Sequence, residues 1–206
     1  MPKLRSSVTV TAAAVVAFVL SFGPTLAAAA SPMIATDREA RRLLDQLAVS
    51  PEPQSTFDAM SSGEQALVRA ASEVATVSTT SDQFERERDA RSRAASGCYS
   101  YTARSAFYNS IGQTLGSMWT TGQICYNGAT VTSARYLDGG GSTSFIGWSY
   151  VGRTSSAAGV SGGGGYAYGA YKFRFALVAG FQEPIYCARV VGTSVAAHGD
   201  TRCGIG

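Results

Sequence analysis

The chain holds one histidine, His198, in the run Ala196-Ala197-His198-Gly199-Asp200, with a carboxylate two residues on. A histidine oriented by an acid is the base of an acyl-transfer site, and it needs a hydroxyl or thiol nucleophile as its third member. A small hydrolase using His198 with Asp200 or Glu183 is therefore the enzymatic reading of this sequence. Glycoside hydrolysis would instead need two carboxylates at a set separation. After residue 97 the only acids are Asp138, Glu183 and Asp200, and each neighbours a turn residue: Gly139, Pro184 or Gly199. Acids in turns normally bind nearby backbone. One histidine and scattered acids give no ligand spacing for zinc or calcium, so no cofactor is expected. The run Gly162 to Gly165 lacks the Lys-Ser/Thr and helix of a phosphate loop.

A second set of residues points to binding rather than turnover. Most of the aromatic side chains fill a small core, but tyrosine beside glycine and serine also makes adaptable recognition surfaces. Tyr166 and Tyr168 follow the glycine run, and Lys172 and Arg174 alternate with Tyr171, Phe173 and Phe175, which places the two cations on a solvent face. Trp148 and Tyr150 form a second candidate patch. These six residues predict a secreted, non-catalytic β-domain that binds an extracellular partner: an anionic wall polymer, a glycan or a protein. Seven basic residues spread over 98–206 without a run argue against nucleic acid.

The elements that must carry these residues fall into three stretches. Residues 1–30 read as an export signal. Lys3 and Arg5 are the positive start, Val8 to Leu20 the apolar centre, and Ala27 to Ala30 the small residues for cleavage. No later run is apolar and long enough to span a bilayer, so no membrane attachment is expected after cleavage. Residues 31–97 read as a helical arm and charged linker, with eleven acids against eight bases. Leu43, Leu44 and Leu47 stripe a first helix over 37–49, which Pro51 and Pro53 end. Ser61 with Glu64, or Ser62 with Gln65, spells a capping box for a second helix reaching about Val77. Ser78 to Ser81 reads as a polar break and 82–93 as a solvated linker, with Arg86 to Arg93 alternatively the cleavage junction of a pro-segment over 31–97. With few large apolar residues, the arm over 31–90 is expected to be removable without unfolding the rest.

Residues 98–206 change period to two and hold three acids against seven bases, together with all four cysteines. Strands are expected over 98–108, 119–137, 144–151, 166–178 and 185–191. Turns are expected at Ile111-Gly112, Asn127-Gly128 and Asp138 to Gly141, and a mobile loop over Gly152 to Gly165. A turn centred on Asn127-Gly128 would set Tyr126 against Ala129 and Ile124 against Val131. It would place Leu137 on the apolar face of that hairpin. Short strands separated by glycine turns predict a mainly β fold: an antiparallel β-sandwich or barrel with an N-terminal helical arm.

Four cysteines in an exported chain imply two disulfides. A hairpin turning at Ile111-Gly112 sets Cys98 opposite Cys125, leaving Cys187 for Cys203. A nested pattern, Cys125 with Cys187 and Cys98 with Cys203, would tie two sheets instead. Trp119-x5-Cys125-Tyr126-Asn127-Gly128-x-x-Val131-Thr132, followed by Gly147-Trp148-Ser149-Tyr150-Val151-Gly152 and an aromatic strand, resembles a group of small exported β-proteins of high-GC Gram-positive bacteria. That resemblance implies a fold and a compartment, and no active site. Tyr186-Cys187-Ala188-Arg189 is also similar to the F-strand of antibody variable domains. However, Ile185 stands at the tyrosine-corner position, so that likeness implies only a sandwich.

Overall fold

The computed structural model describes residues 32–81, 84–85, 96–178 and 182–206. The expected export signal, and most of the charged linker with its cleavage junction, lie outside the described residues. In chain order the elements are α1 (Pro32–Val49), α2 (Pro53–Asp58), α3 (Ser62–Ser72), β1 (Thr76–Thr79), β2 (Phe84–Glu85), β3 (Ser96–Tyr108) and β4 (Thr114–Asn127). There follow β5 (Thr130–Thr143), β6 (Trp148–Ser161), β7 (Gly164–Phe175), β8 (Ile185–Gly192) and β9 (Ala196–Asp200). All strand pairs are antiparallel, in two open sheets ordered β1-β3-β4-β5 and β2-β9-β8-β7-β6. β4 packs across β7 and β8, and β3 across β8 and β9. The mainly β sandwich expected from the period-two pattern is the observed fold.

Alternation builds the interior. Met118, Thr120, Ile124 and Tyr126 of β4 and Ala167, Tyr171, Phe173 and Phe175 of β7 are buried. Cys98 lies opposite Cys125 in the β3–β4 ladder, and the two are bonded with Cα atoms 4.0 Å apart. Cys187 is bonded to Cys203. The local connectivity is therefore the one adopted.

The β4–β5 hairpin turns one residue later than expected. Asn127 pairs with Thr130 and Tyr126 with Val131, so Gly128-Ala129 forms the turn, with Gly128 at a φ of +61°. Irregularities between Cys125 and Tyr126 and between Thr121 and Gly122 then set Ile124 opposite Ala134 and leave Leu137 46% exposed. The slip and the bulges reassign faces, because side chains alternate with every residue.

Two glycine stretches read as breaks are strands. A Cβ at Gly139 would lie 1.9 Å from the Tyr171 hydroxyl, and one at Gly141 2.6 Å from the Phe173 ring. Glycine is there because the facing aromatics approach the β5 backbone closely. The loop expected over Gly152 to Gly165 is instead a long hairpin of β6 and β7. Gly162 and Gly163, at φ values of +55° and +81°, make its two-residue turn. Two consecutive positive φ values suit the right-handed twist of the flanking strands. Two further stretches, the supposed polar break and the run Ala196 to Asp200, carry β1 and β9.

The arm is not loosely attached. Leu43, Leu44 and Leu47 of α1, Phe57 of α2 and Val68 of α3 are all at most 3% exposed, in one cluster with Phe107, Leu115, Met118, Trp148 and Phe175. The expected removability rested on too few large apolar residues, but those present are fully used. The last carbonyls of α3, which have no partner within the helix, accept bonds from the sandwich. Ser110 Oγ donates to Ala70 O (3.0 Å), Asn109 Nδ2 to Ala71 O (2.8 Å) and Trp148 Nε1 to Ser72 O (3.1 Å). At the other end of α3, Ser61 and Glu64 form the expected capping box. α2, between Pro53 and Asp58, was hidden by its prolines, although proline fits the first turn of a helix.

Candidate functional site

The outer face of the five-stranded sheet gathers most of the residues read as a binding surface. Strand β7 sends Tyr171, Phe173 and Phe175 into the core, and the opposite parity sends Tyr166, Tyr168, Lys172 and Arg174 outward. Strand register sets Tyr168 beside Arg189 and Arg189 beside Asp200, and sets Tyr166 beside Val191 and Val191 beside His198. Small residues of β6 flank the tyrosines: Ala157 beside Tyr168 and Gly159 beside Tyr166.

Two carboxylates organise the charge. Glu183 bonds both Lys172 Nζ and Arg174 Nε, the latter at 2.5 Å. These hydrogen bonds, Lys172's first and then Arg174's, hold its carboxyl below the ordinary range. Asp200 accepts Arg189 Nε at 2.9 Å and Nη2 at 2.6 Å, Arg202 N at 3.0 Å and Arg202 Nε at 3.1 Å. Burial works to raise the pKa of Asp200, but the hydrogen bonds from Arg189 and Arg202 outweigh it and the carboxyl sits below its usual value.

Arg189 is 1% exposed. A buried cation must be paired and its remaining donors satisfied. Its Nη1 donates to Gly204 O (3.2 Å) and Gly206 O (3.4 Å), and its guanidinium lies 5.2 Å from the centroid of the Tyr166 ring. The stretch 201–206 thus crosses the sheet as a strap. Cys203 ties it to Cys187 of β8, and Ile205 lies against Gly159 of β6. Tyr166 and Tyr168 are consequently half-buried rather than fully exposed.

The second patch is not on this surface. Trp148 is 6% exposed, with ring centroids 5.3 Å from Phe107 and 5.7 Å from Phe175. Tyr150 is half-buried at 5.4 Å from Phe173 and 6.4 Å from Tyr171. Their spacing suggested a surface, but the first residue of β6 faces the helices and both rings close the core. At the seam between the sheets, Arg153 Nη1 donates to Tyr136 Oη at 2.7 Å, and buried Tyr171 bonds Thr120 Oγ1 at 2.7 Å. Burial pushes the Tyr171 hydroxyl far up, so it stays neutral.

The hydrolase set does not assemble. Glu183 lies six residues before Asp200's partner Arg189 in sequence, roughly 20 Å along the strand direction at ~3.3 Å per residue. Both carboxylates are occupied by cations, which leaves neither to orient His198. The chain does contain Gly159-Val160-Ser161-Gly162-Gly163, the spelling of a nucleophile elbow. That motif requires a strand-to-helix turn, and here it enters the β6–β7 hairpin. Among the described residues no group of three or more His, Cys, Asp or Glu side chains is placed to hold a metal ion, and no cysteine is unpaired.

Arg189 was missed as a site residue. Its signal was present in alternation: Cys187, Arg189 and Val191 share one face, and a cysteine and a valine flank a cation there. No protein-family model matches the chain, and neither the curated proteins nor the solved structures include one similar to it.

Proposed function

We propose that the chain is a secreted, non-catalytic β-domain that binds an anionic extracellular polymer along the outer face of its five-stranded sheet. One observation carries this reading: on that face each carboxylate is shared by two cations. Glu183 serves Lys172 and Arg174, and Asp200 serves Arg189 and Arg202. Glu183 and Asp200 are also the only acids in residues 148–206, so the face keeps a positive excess. The excess attracts a polyanion, and the half-buried tyrosine rings add contact area at low entropic cost. Two disulfides fit an oxidising compartment, and among the described residues no helix is long and apolar enough to cross a membrane. Together with the signal read in residues 1–30, they support export.

Retention of the purified protein on isolated cell walls, on a polyanion such as polyglutamate and on a neutral glycan resin tests the reading. The expected result is retention on walls and polyanion that falls steeply with salt, and that drops at least about tenfold, ~1.4 kcal/mol, in Lys172→Gln/Arg174→Gln. Retention that ignores both salt and that double variant would refute the assignment.

A further inference from the structure

At the helical end of the sandwich a separate cleft of about 420 Å³ opens between α1 and two connections of the sheets. Small-molecule sites span ~300–1,000 Å³ and combine apolar wall with a few fixed polar groups. Here α1 supplies Arg41 and Asp45, the β3–β4 connection and the start of β4 supply Gln113 and Thr114, and the β5–β6 connection supplies Ser144, Phe145 and Ile146.

Several of these groups are held in place before any ligand arrives. Asn109, 3% exposed, anchors Gln113 twice: its Nδ2 donates to Gln113 Oε1 at 2.9 Å, and its Oδ1 accepts Gln113 N at 2.8 Å. Gln113 Nε2 donates in turn to Asp37 Oδ1. Asp37 also accepts Arg41 Nε at 3.4 Å, which offsets the charge of that arginine. Asp45 has no hydrogen-bond or ion-pair partner among the described residues. The wall therefore offers an unshared carboxylate acceptor, a guanidinium already balanced by Asp37, a fixed amide, two hydroxyls, and the apolar side chains of Phe145 and Ile146.

Closely spaced donors and acceptors beside an aromatic ring match the edge and face of a polyhydroxylated ring. The unshared charge is negative, which disfavours anions. We infer that this cleft binds an uncharged sugar unit, with Asp45 accepting from neighbouring hydroxyls, Arg41 and Gln113 donating, and Phe145 covering the C–H face. The inference concerns a different surface from the polyanion face and does not rest on it.

The test is titration of the intact protein with glucose, galactose, mannose and N-acetylglucosamine and their β-linked disaccharides, followed by calorimetry and by shifts of the Gln113 side-chain amide. At least one of these probes is expected to bind and to shift that amide. Asp45→Asn, an exposed isosteric change, should weaken the binding at least tenfold while leaving the thermal midpoint unchanged. Arg41→Gln should weaken it less. The inference is overturned if none of the probes binds, or if Asp45→Asn binds as the parent does. It is equally overturned if Lys172→Gln/Arg174→Gln abolishes sugar binding while Asp45→Asn does not, which would assign the ligand to the outer face and leave the polyanion reading untouched.

Discussion

At the helical end of the sandwich, Leu43, Leu44, Leu47, Phe57, Val68, Phe107, Leu115, Trp148, Phe173 and Phe175 share one interior. At the opposite end the facing sheets bring together a smaller buried apolar cluster, Ala103, Ile124, Val131, Ala167 and Val190. The sheets approach closely there: a Cβ on Gly122 would sit 2.8 Å from that of Ala167. A region with so little apolar volume gains modestly from burial, since the gain scales with area removed from water. What it has instead is the Cys98–Cys125 cross-link, the strap fixed by Cys187–Cys203, and the buried Arg189–Asp200 pair. One end is held by hydrophobic packing and the other by covalent and ionic ties. The helices belong to the first as core, and the strap to the second as cover.

The largest effect should come from removing the packing. A chain beginning at Thr76 lacks the five large side chains of α1, α2 and α3 that are buried in the cluster. At ~1.5–3 kcal/mol each, their loss is on the order of 10 kcal/mol, as much as the whole stability of a typical domain. It also uncovers Trp148 and Phe107. The shortened chain is expected to show no cooperative thermal transition and to lose the near-ultraviolet circular dichroism of its packed aromatics. A melt within a few degrees of the full chain would show that the sheets alone form the core, and the contrast between the ends would collapse.

Opening the cross-link should cost less and act locally. Cys98→Ala/Cys125→Ala releases a loop with a sequence separation of 27, worth ~3 kcal/mol when closed. Amide exchange should accelerate over 96–101 and 124–127, while the amides of Phe107 and Met118 remain protected, because local opening follows local contact density. Equal acceleration at both ends would mean that they unfold as one unit, and that the division drawn between them has no energetic content.

How far these features were legible depends on the distance of the contact that decides them. The Ser61–Glu64 capping box is spelled within four residues. The alternation of Tyr171, Phe173 and Phe175 needs only its own strand. Cys98 opposite Cys125 follows from a single turn near Gly112. By contrast, Gly139 reads as a turn residue until the Tyr171 hydroxyl, from another sheet, is placed beside its backbone. Leu43, Leu44 and Leu47 read as a weak stripe because the surface they fill comes from β3, β4 and β6. In the site, Lys172 and Arg174 were legible as outward cations, but their sharing of Glu183 depends on how the chain returns into β8. Alternation put Arg189 on the same face as Cys187, but its burial was hidden for the same reason. Its partner is fixed by the β8–β9 register, and the strap that buries it is fixed by a disulfide.

The smallest effect, and the sharpest probe of the ionic ties, is the response to acid. The folded-state pKa of Asp200 is lowered, because the bonds from Arg189 and Arg202 outweigh the opposing effect of burial. A lowered carboxyl contributes stability that is fully present above its unfolded pKa of ~3.9 and is lost as pH falls through the folded value. Asp200→Asn should therefore be less stable than the parent at neutral pH, and the gap should close as pH falls from about 4 through the lowered folded value. The difference is put at about 1–2 kcal/mol, below the ~3–5 kcal/mol of a fully buried pair, because Asn keeps an acceptor for Arg189 and the Asp200 side chain retains 19% of its exposure, where solvent screens it. Glu39, Glu64 and Glu183 are lowered too. They sit on the surface, so their share should shrink in about 0.5 M salt, where the screening length is only a few ångströms. Chemical denaturation with urea at pH 7 and at about pH 2, in low and high salt, separates the two kinds of carboxylate. A gap between parent and Asp200→Asn that survives salt at pH 7 and closes in acid marks a sheltered pair. A gap that salt abolishes would make Arg189–Asp200 one more surface contact and leave the disulfides alone to hold that end of the fold.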